Sequence, residues 1–450
     1  MVALRQQYVI LLLYEEKNRK DGICLPQIKR NEIAPGAVLT AIDDRRFKSG
    51  LVSIDMYLPL DEEHAAARAL VPYLVVRSCK EYPDYTSLRR RLAELYGASL
   101  KAGTGMNGDR HKFTVGVMFL DDRYALEKEP VAAQCASLLA SMVFDPPFED
   151  GAFRQEDIEI ERRLMLERID AQRNDKIRYA RLRCIKHMCA GEPYGLEPLG
   201  TREQVENVTA QEITQAWQDI VRRARIEIVT SGSFDTKPLE REIKKRLEAI
   251  GRNPAELGKN IVLDGAEEIK CITERAEVKQ AKLVMGWRTP ICSIQGDYMA
   301  AKVGSAMLGG ISNSMLFTNV REKMSLCYYC SAAYVRSKGI LLVQSGLEED
   351  NAQKARDAIE NELEKLKRGE VPEGLLEQAK KAVVGVCRES NDSVYALAEW
   401  YGSQALEAEI MTPEEHIERT NAVTMERVIT AAKSFSECMV YILAGEEENR

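Results

Sequence analysis

The sequence predicts an α+β protein built from two structurally similar domains that arose by internal duplication, each a mostly antiparallel sheet covered by helices. Three features of the first half recur in the second half, at offsets of 217, 215 and 213 residues (391 − 174, 424 − 209 and 445 − 232). The paired features are Asn174-Asp175 with Asn391-Asp392, Val208-Thr209 with Val423-Thr424, and the strand 226–232 with 439–445. Near-constant offsets over three separate features indicate two domains of roughly 200 residues each.

Length and composition agree with this division. A chain of 450 residues exceeds what one hydrophobic core normally supports, so two or three domains are expected. A hydrophobic content of 45% with 30% charged residues is typical of soluble globular proteins. The formal net charge of -7 supplies no basic surface for nucleic acid, and we expect no nucleic-acid partner.

Residues 1–28 carry little pattern beyond one apolar run, and we treat them as an N-terminal extension. That run, Tyr8 to Tyr14, is much shorter than the roughly 20 residues needed to cross a bilayer. Charged residues follow it, where a signal peptide would have small residues for cleavage. The sequence therefore predicts neither a signal peptide nor a membrane anchor.

The first domain is expected to span residues 29–235, with strands and helices that follow from apolar spacing and from turn residues. The predicted elements are, in order, strands 38–42 and 51–57, a helix from Asp61 bent at Pro72, a helix from Thr86 or Ser87 to Gly97, strands 99–104 and 112–119, and helices 131–143 and 153–169. Proline bends a helix because it removes a backbone donor, and glycine ends one because it accepts the left-handed conformation.

A linker over 236–274 is expected to join the two domains, and it includes a charged helix over 237–250. The second domain, 275–450, restarts with a strand at 282–287 that is the counterpart of the second strand in the first domain. A helix over 352–367 places apolar residues at 3.6-residue spacing and stops before a glycine.

The eleven cysteines are scattered and odd in number, which suits a reducing compartment better than a disulfide framework. We therefore expect a cytoplasmic protein. Cys327 and Cys330 form a C-x-x-C pattern without a second pair or a nearby histidine. We expect these two residues to occupy alternating strand positions rather than a metal or redox site.

The segment from Gly309 to Tyr329 is the strongest candidate for a functional site. The adjacent Gly309 and Gly310 permit backbone conformations closed to other residues and allow another chain to approach closely, as a gripping loop requires. Ser312 or Ser314 can cap the helix that follows. The expected arrangement is thus a glycine loop, a short helix and a strand.

Arg321 lies near the end of that helix, and Tyr328 follows seven residues later in a segment of strand composition. A guanidinium group and a phenol both donate hydrogen bonds, so the two side chains can converge on one carbonyl or carboxylate group. A solvated helix arginine and a half-buried strand tyrosine explain the same spacing. Spacing alone leaves both interpretations open.

Three stretches carry a resemblance to a known family: Gly-Gly-x-Ser-x-Ser-x-Leu-Phe-x-x-Val-Arg-Glu-Lys at 309–323, Glu192-Pro193-Tyr194-Gly195, and Leu199-Gly200-Thr201. With the duplicated halves, they resemble the pitrilysin/insulinase-type zinc peptidases, in the branch shared with the mitochondrial processing peptidase. The resemblance runs from about Gly36 to Gly445, and the stretch 60–98 is similar to a bacterial subfamily of small, inactive members. It implies that the two domains form one half of a clamshell.

Active members of this family bind zinc through an H-x-x-E-H motif on a helix of the first domain, with a distal glutamate as third ligand. This chain has four histidines, His64, His111, His187 and His416, and no two of them stand at that spacing. The nearest candidate, His64, is followed by Ala67 and Arg68 where the motif demands Glu and His. The resemblance places the distal ligand at Arg168, a cation that would repel zinc. We therefore expect no metal ligand, no cofactor and no catalytic residue in this chain.

In the same family an arginine and a tyrosine of the second domain bind the substrate peptide near the scissile bond. Arg321 and Tyr328 match that pair by position, and Gly309 and Gly310 lie beside it. Ser325 stands where the family has a glycine in the Arg-Glu-Lys-x-Gly-Leu turn, which puts the distance between the pair in question. Some bacterial members divide the zinc motif and the Arg/Tyr pair between two chains, and this chain is similar to the second kind.

Three functions follow from these expectations. The first is a non-catalytic, peptide-binding subunit that forms a heterodimer with a homologous chain bearing the zinc motif, a homodimer being the other arrangement. The second is a catalytically dead scaffold or peptide-binding protein with no peptidase partner, in which Arg321 and Tyr328 are relics. The third is a lone hydrolase with an unrecognised site. A peptide is the expected ligand, and neither nucleic acid nor membrane is an expected partner.

Overall fold

The structure, a computed structural model, describes residues 26–446. The apolar run Tyr8 to Tyr14, and with it nearly all of the predicted extension, lies outside the described residues. No helix within the described range is long and apolar enough to cross a membrane. The ten cysteines found in this range are all free.

The first half of the chain forms a six-stranded sheet. Its strands are β1 (Gln27–Ala34), β2 (Ala37–Asp43), β3 (Ser49–Pro59), β4 (Ser99–Asn107), β5 (Arg110–Leu120) and β6 (Arg225–Ser231). They lie in the order β1-β2-β6-β3-β5-β4. The β2 and β6 strands run parallel, and every other neighbouring pair is antiparallel.

The second half forms a five-stranded sheet. Its strands are β7 (Lys270–Ala276), β8 (Ala281–Arg288), β9 (Tyr329–Val335), β10 (Ile340–Leu347) and β11 (Ser436–Gly445). They lie in the order β7-β11-β8-β10-β9, with one parallel pair, β7 and β11. This order and strand sense repeat those of β2-β6-β3-β5-β4. The predicted α+β class, with two similar domains whose mostly antiparallel sheets are covered by helices, is confirmed.

Fourteen α-helices lie within residues 26–446 and cover the two sheets. They are α1 (Ala65–Val75), α2 (Tyr85–Glu94), α3 (Val131–Phe144), α4 (Gln155–Asn174), α5 (Lys176–Met188), α6 (Arg202–Asn207), α7 (Ala210–Arg223), α8 (Lys237–Ile250), α9 (Tyr298–Ser305), α10 (Ala352–Arg368), α11 (Leu375–Glu389), α12 (Val394–Ser403), α13 (Pro413–Asn421) and α14 (Met425–Lys433). Two π-helical segments, Ala306–Gly310 and Leu316–Lys323, lie between α9 and β9.

Equivalent threonines begin equivalent helices in the two halves. Thr209 accepts a hydrogen bond from the Glu212 N–H, and the Glu212 side chain accepts one from the Thr209 N–H, which forms a capping box for α7. Thr424 caps α14 by accepting from the Arg427 N–H. The recurrence of Val-Thr in the sequence is therefore a recurrence of helix caps.

Helices α5 and α12 cross between the halves. Helix α5 belongs to the first half, but its Cys184 packs with Val284 and other residues of the second sheet. Helix α12 belongs to the second half, but its Leu397 packs with Val229 of the first sheet. Each sheet thus buries one face under a helix that the other half supplies.

A charged cluster strengthens the contact of α5 with the second sheet. Arg183 and His187 on α5, together with the Tyr441 hydroxyl on β11, contact the Glu274 carboxylate on β7. Burial alone would raise the pKa of the Glu274 carboxyl. The hydrogen bonds from the three partners outweigh burial and lower that pKa to about 2.

A buried group of charges, which we call the interdomain ion cluster, joins the two halves and consists of Asp109, Glu192, Arg288 and Lys338. The fully buried Lys338 ammonium donates to both Asp109 carboxylate oxygens, at 2.7 and 2.9 Å, and to Glu192 at 2.9 Å. Arg288 donates to the other Glu192 oxygen. Asp109 and Glu192 come from the first half, so these ion pairs fix the position of one domain against the other.

Helix α8 lies within the predicted linker 236–274, and it packs in the first core. Its residues Leu239, Ile243 and Leu247 are buried among the helices that cover the first sheet. The domain bounds 29–235 and 275–450 stay a prediction.

Candidate functional site

The segment that carries the predicted site continues helix α9. After Ser305 the helix widens into a π-helical turn that includes Gly309 and Gly310, and a second π-helical segment carries Arg321. The Phe317 N–H donates to the Ser314 hydroxyl at 3.4 Å, so Ser314 helps to begin that second segment. π-helical turns are rare in proteins, and those that occur often lie at functional sites.

The two glycines do not form the loop that the sequence suggested. Gly309 is buried in the π-helical turn, and a Cβ atom there would lie 2.5 Å from the backbone nitrogen of Ala332 in β9. The lack of a side chain lets the turn lie directly on the strand backbone. Gly310 is exposed at the end of the turn. Their predicted role in holding a peptide stays a prediction.

Arg321 and Tyr328 are both accessible, and each has its own partners. The Arg321 side chain is 40% exposed and lies over the Phe317 ring, 4.6 Å from its centroid, with Glu322 3.7 Å away. Tyr328 is 53% exposed, and its hydroxyl donates to Glu348 at 2.6 Å. That hydrogen bond, with the nearby negative charge, raises the pKa of Tyr328. Both side chains therefore have surface from which they can reach a ligand.

The strand that follows Tyr328 lies at an edge of the second sheet. Strand β9 pairs with β10 on one side and is the last strand in the order, so its other side is not paired with a strand of the described chain. The Tyr328 N–H donates to the Gly346 carbonyl and continues the ladder toward Arg321. An extended peptide can add to such an edge through main-chain hydrogen bonds.

Ser325, between Arg321 and Tyr328, has a φ of 52°. This left-handed conformation is unfavourable for residues with a Cβ atom, and glycine adopts it freely. The turn thus keeps the backbone shape that a glycine would give, although a serine occupies the position. The reversal that brings the chain from the helix into β9 is retained.

The position that the resemblance assigns to the distal metal ligand, Arg168 on α4, faces Tyr73 on α1. The Arg168 guanidinium carbon lies 4.0 Å from the Tyr73 ring centroid, and Arg168 also lies 3.9 Å from the Glu161 carboxylate. The contact shows which part of α1 meets α4. A histidine pair one helical turn apart that included position 73 would have its other member at Ala69 or at Arg77.

A zinc ion does not fit these residues. Ala69 has no metal-binding atom, and Arg77 is a cation that pairs with Asp157 and Glu161. The Tyr73 ring is covered by a guanidinium cation that would repel a metal ion. Among residues 26–446, no three His, Cys, Asp or Glu side chains lie close enough together to hold a metal ion. Tyr73 is the residue at this position that sequence reasoning left without a role. Its signal was that Tyr73 and Arg68 are the two polar side chains of an otherwise apolar helix.

His64, the nearest match to the zinc motif in the sequence, lies elsewhere. It precedes α1 at the surface, where its Nδ1 atom is 2.7 Å from Asp61. Arg68, one turn later, forms ion pairs with Asp61 at 2.5 Å and with Asp219 at 2.8 Å. These contacts are those of a charged helix start.

One Cys–His contact bears on the lone-hydrolase hypothesis. Cys387 Sγ lies 3.3 Å from His416 Nδ1 in the second core, where both residues are at most 2% exposed. Burial raises the pKa of the Cys387 thiol and lowers that of His416 to about 3. A nucleophilic pair needs a thiolate, a base near neutrality and access for substrate, and this pair lacks all three. We assign it to packing.

Comparisons with known proteins agree with the resemblance. Residues 207–383 match the family described as Peptidase M16 inactive domain. The chain is 31% identical to the "Probable inactive metalloprotease YmfF" of Bacillus subtilis (strain 168), over 92% of this chain and 96% of that relative. It is 24% identical to the "Uncharacterized zinc protease YmxG" of the same organism, over 72% of this chain and 78% of that relative.

A solved structure has the same fold. A conserved protein from Enterococcus faecalis V583 superposes with a TM-score of 0.85 at 27% identity, covering 94% of this chain and all of that one. The two-sheet architecture with its crossing helices is therefore an arrangement that this chain shares with an experimentally observed protein.

Proposed function

Because the chain belongs to the M16 peptidase family as a homologue of an inactive member, we propose that it is the non-catalytic, peptide-binding subunit of a two-chain zinc metallopeptidase. In this proposal a homologous chain with the H-x-x-E-H motif supplies the metal and the chemistry. This chain supplies Arg321 and Tyr328, which hold the peptide near the scissile bond, with Gly309 and Gly310 beside them.

The observation that carries the proposal is the asymmetry between the two halves. In the first half, the Arg168 guanidinium lies on Tyr73 where the family's metal ligands are expected. In the second half, Arg321 and Tyr328 remain accessible beside the open edge of β9. A catalytically dead scaffold does not need an accessible arginine and tyrosine at this place. A subunit that binds the peptide for a catalytic partner does need them.

The chemistry of the pair suits a peptide ligand. Arg321 presents a cation whose present partners are a ring face and a carboxylate 3.7 Å away, so a ligand carbonyl or carboxylate can replace the weaker contact. Tyr328 can exchange its hydrogen bond to Glu348 for one to the ligand. The strand edge provides main-chain donors and acceptors for the rest of an extended segment.

The test is reconstitution of the complex. The purified chain is mixed with an H-x-x-E-H-bearing homologue from the same organism, and the cleavage of a library of unstructured peptides is measured. We expect cleavage by the mixture and little by either chain alone. Arg321→Ala should lower kcat/KM of the mixture by about 10- to 100-fold, because a hydrogen bond to a charged group contributes about 1.5–3 kcal/mol.

Two variants serve as comparisons. Tyr328→Phe should lower kcat/KM by about 2- to 10-fold, the range expected for a neutral hydrogen bond. Arg368→Ala removes an exposed arginine that pairs with Glu370 at the end of α10 and should change nothing. Full activity of the partner alone, or an Arg321→Ala complex as active as the Arg368→Ala complex, would contradict the proposal and favour the scaffold. Peptide cleavage by the lone chain, with stoichiometric zinc, would favour the lone hydrolase.

A further inference from the structure

Helix α5 is strongly basic, although the chain as a whole has a net charge of -7. Its 13 residues include lysines and arginines but no aspartate or glutamate. Arg183 and Lys186 have carboxylate partners. Arg178 and Arg181 are exposed, and within residues 26–446 neither guanidinium group forms an ion pair. Because like charges one helical turn apart repel each other, an anionic ligand that paired with both arginines would be stabilised there.

One face of strand β9 lies on the same side of the sheet as α5. Cys330 and Ala332 belong to the second core on the opposite face, so the alternation of the strand places Ser331 and Ala333 on the α5 side. Val335, further along that side, packs in the same apolar cluster as α5. Ser331 and Ala333 are nevertheless exposed. Helix α5 therefore leaves the part of β9 next to the open edge uncovered, with a floor of small side chains.

The first turns of α5 run beside β9. Burial raises the pKa of Tyr329, the first residue of β9, to about 12, and the nearby charge of Asp175, which caps α5, adds to this effect. Arg181 lies close to Tyr194, whose ring is 5.5 Å from the Lys338 ammonium in the turn after β9. The other free arginine lies one helical turn earlier, on the same side of α5. Both guanidinium groups are thus placed beside the exposed floor of the strand.

We propose that Arg178, Arg181, Ser331 and Ala333, which we call the α5–β9 surface, select acidic peptides. An extended segment that adds to the edge of β9 directs every second side chain toward the α5 side. Such side chains are about 7 Å apart, and the Cβ atoms of residues one helical turn apart are about 5–6 Å apart. Carboxylates at alternate positions of the peptide therefore match the two arginines in spacing as well as in charge.

The chemistry of the α5–β9 surface favours aspartate and glutamate in particular. A guanidinium group recognises a carboxylate through two parallel hydrogen bonds, which a neutral amide side chain cannot reproduce. The short side chains of Ser331 and Ala333 leave room for an acidic side chain to lie across the strand toward α5. This preference concerns the substrate of the proposed function and rests on it, because that function brings a peptide to the edge of β9.

The test measures the binding of short fluorescein-labelled peptides to the lone chain by fluorescence anisotropy. One peptide carries glutamate at alternate positions, and a second carries glutamine at the same positions. The glutamate peptide should bind about 3- to 30-fold more tightly, the range expected for two exposed ion pairs, and added salt should reduce the difference. A third peptide has the same glutamates at consecutive positions. It should bind more weakly than the alternating peptide, because a strand directs only half of them toward α5.

Two double variants locate the preference. Arg178→Gln/Arg181→Gln should remove most of the preference for glutamate over glutamine. Lys244→Gln/Lys245→Gln removes two exposed charges from helix α8 and should leave the preference unchanged. Equal behaviour of the two double variants, or equal affinity for the alternating and the consecutive glutamate peptides, would overturn the proposal. So would single-stranded DNA that binds as tightly as the alternating peptide, or an alternating peptide that does not bind at up to about 1 mM.

The two proposals can fail separately. The binding assay needs no peptidase partner, so an absent preference for glutamate leaves the reconstitution result as it stands. A mixture that cleaves no peptide, with the preference for glutamate intact in the lone chain, would contradict the proposed function alone.

Discussion

Replacement of Lys338 by methionine should destabilise the protein far more than the loss of a surface charge would. The Lys338 ammonium is fully buried and is the cation that the interdomain ion cluster provides for Asp109. Its loss leaves Glu192 paired with Arg288, but the buried Asp109 carboxylate then accepts hydrogen bonds only from the backbone N–H groups of Tyr194 and Ile261. Breaking a buried ion pair by removal of one partner costs about 3–5 kcal/mol.

The expected change in melting temperature follows from the chain length. Unfolding entropy is about 2.1 cal/mol/K per residue, so about 1 kcal/mol shifts the melting temperature of a chain this long by about 1 °C. Lys338→Met should therefore lower it by roughly 3–5 °C in differential scanning calorimetry. Because the cluster joins the two halves, the single transition expected of the parent protein should also broaden or split.

Two further variants test the reasoning behind this expectation. Lys186→Met removes a lysine that pairs with Glu197 at 2.8 Å with both side chains nearly half exposed, and it should cost at most about 1 kcal/mol. The double variant Asp109→Asn/Lys338→Met removes both charges and should recover more than half of the loss. The argument from an uncompensated buried carboxylate is refuted if Lys338→Met costs no more than Lys186→Met, or if the double variant shows no recovery.

Three smaller predictions concern the turn and the crossing helix. Ser325→Gly should raise the free energy of unfolding by about 0.5–1 kcal/mol, because it relieves a left-handed residue, whereas Ser331→Gly in strand β9 should lower it by a similar amount in urea titrations. Gly309→Ala should lower the free energy of unfolding by about 1–3 kcal/mol, because its Cβ would lie 2.5 Å from the strand backbone. Gly385→Ala in helix α11 should stabilise the protein, because a Cβ there has open space and alanine favours a helix. A lower melting temperature for Gly385→Ala than for Gly309→Ala would contradict the contact. Glu274→Gln should be less stable than the parent protein above about pH 5, because a carboxyl whose pKa is lowered to about 2 stabilises the fold in its ionised form. The difference in stability should shrink as the pH falls from about 4.5 toward 2. A difference that does not depend on pH would contradict this expectation.

Much of the fold could be predicted because its signals are local. Each Val-Thr helix start and each repeated strand pattern is formed by residues that are neighbours in the sequence. Each of these signals also recurs in the second half. The packing of helix α8 could not be predicted, because a charged amphipathic helix looks the same whether it joins two domains or covers one of them. Its apolar face shows only that it is buried somewhere.

Part of the candidate site is likewise indicated by the sequence, and part of it is visible only in the structure. The resemblance drew attention to the turn at Ser325 but left its geometry in question, and only the structure shows that the backbone keeps the left-handed conformation that glycine favours. The contact of Arg168 with Tyr73 could not, because it depends on how two helices distant in sequence meet. The same holds for Lys338 and Asp109, which are 229 residues apart. Neither residue has a sequence pattern that marks it as buried.

The crossing of helices α5 and α12 has a consequence for how the duplicated chain came to be one polypeptide. A single repeat folded alone would leave one sheet face without the helix that covers it, so its stable form would be a pair of copies that exchange those helices. Such a pair forms in proportion to protein concentration. Joining the copies in one chain replaces that dependence with a fixed effective concentration, so the exchanged helices meet their sheets in every molecule. Covalent linkage also frees the two halves to diverge in sequence while their sheets keep the same strand order.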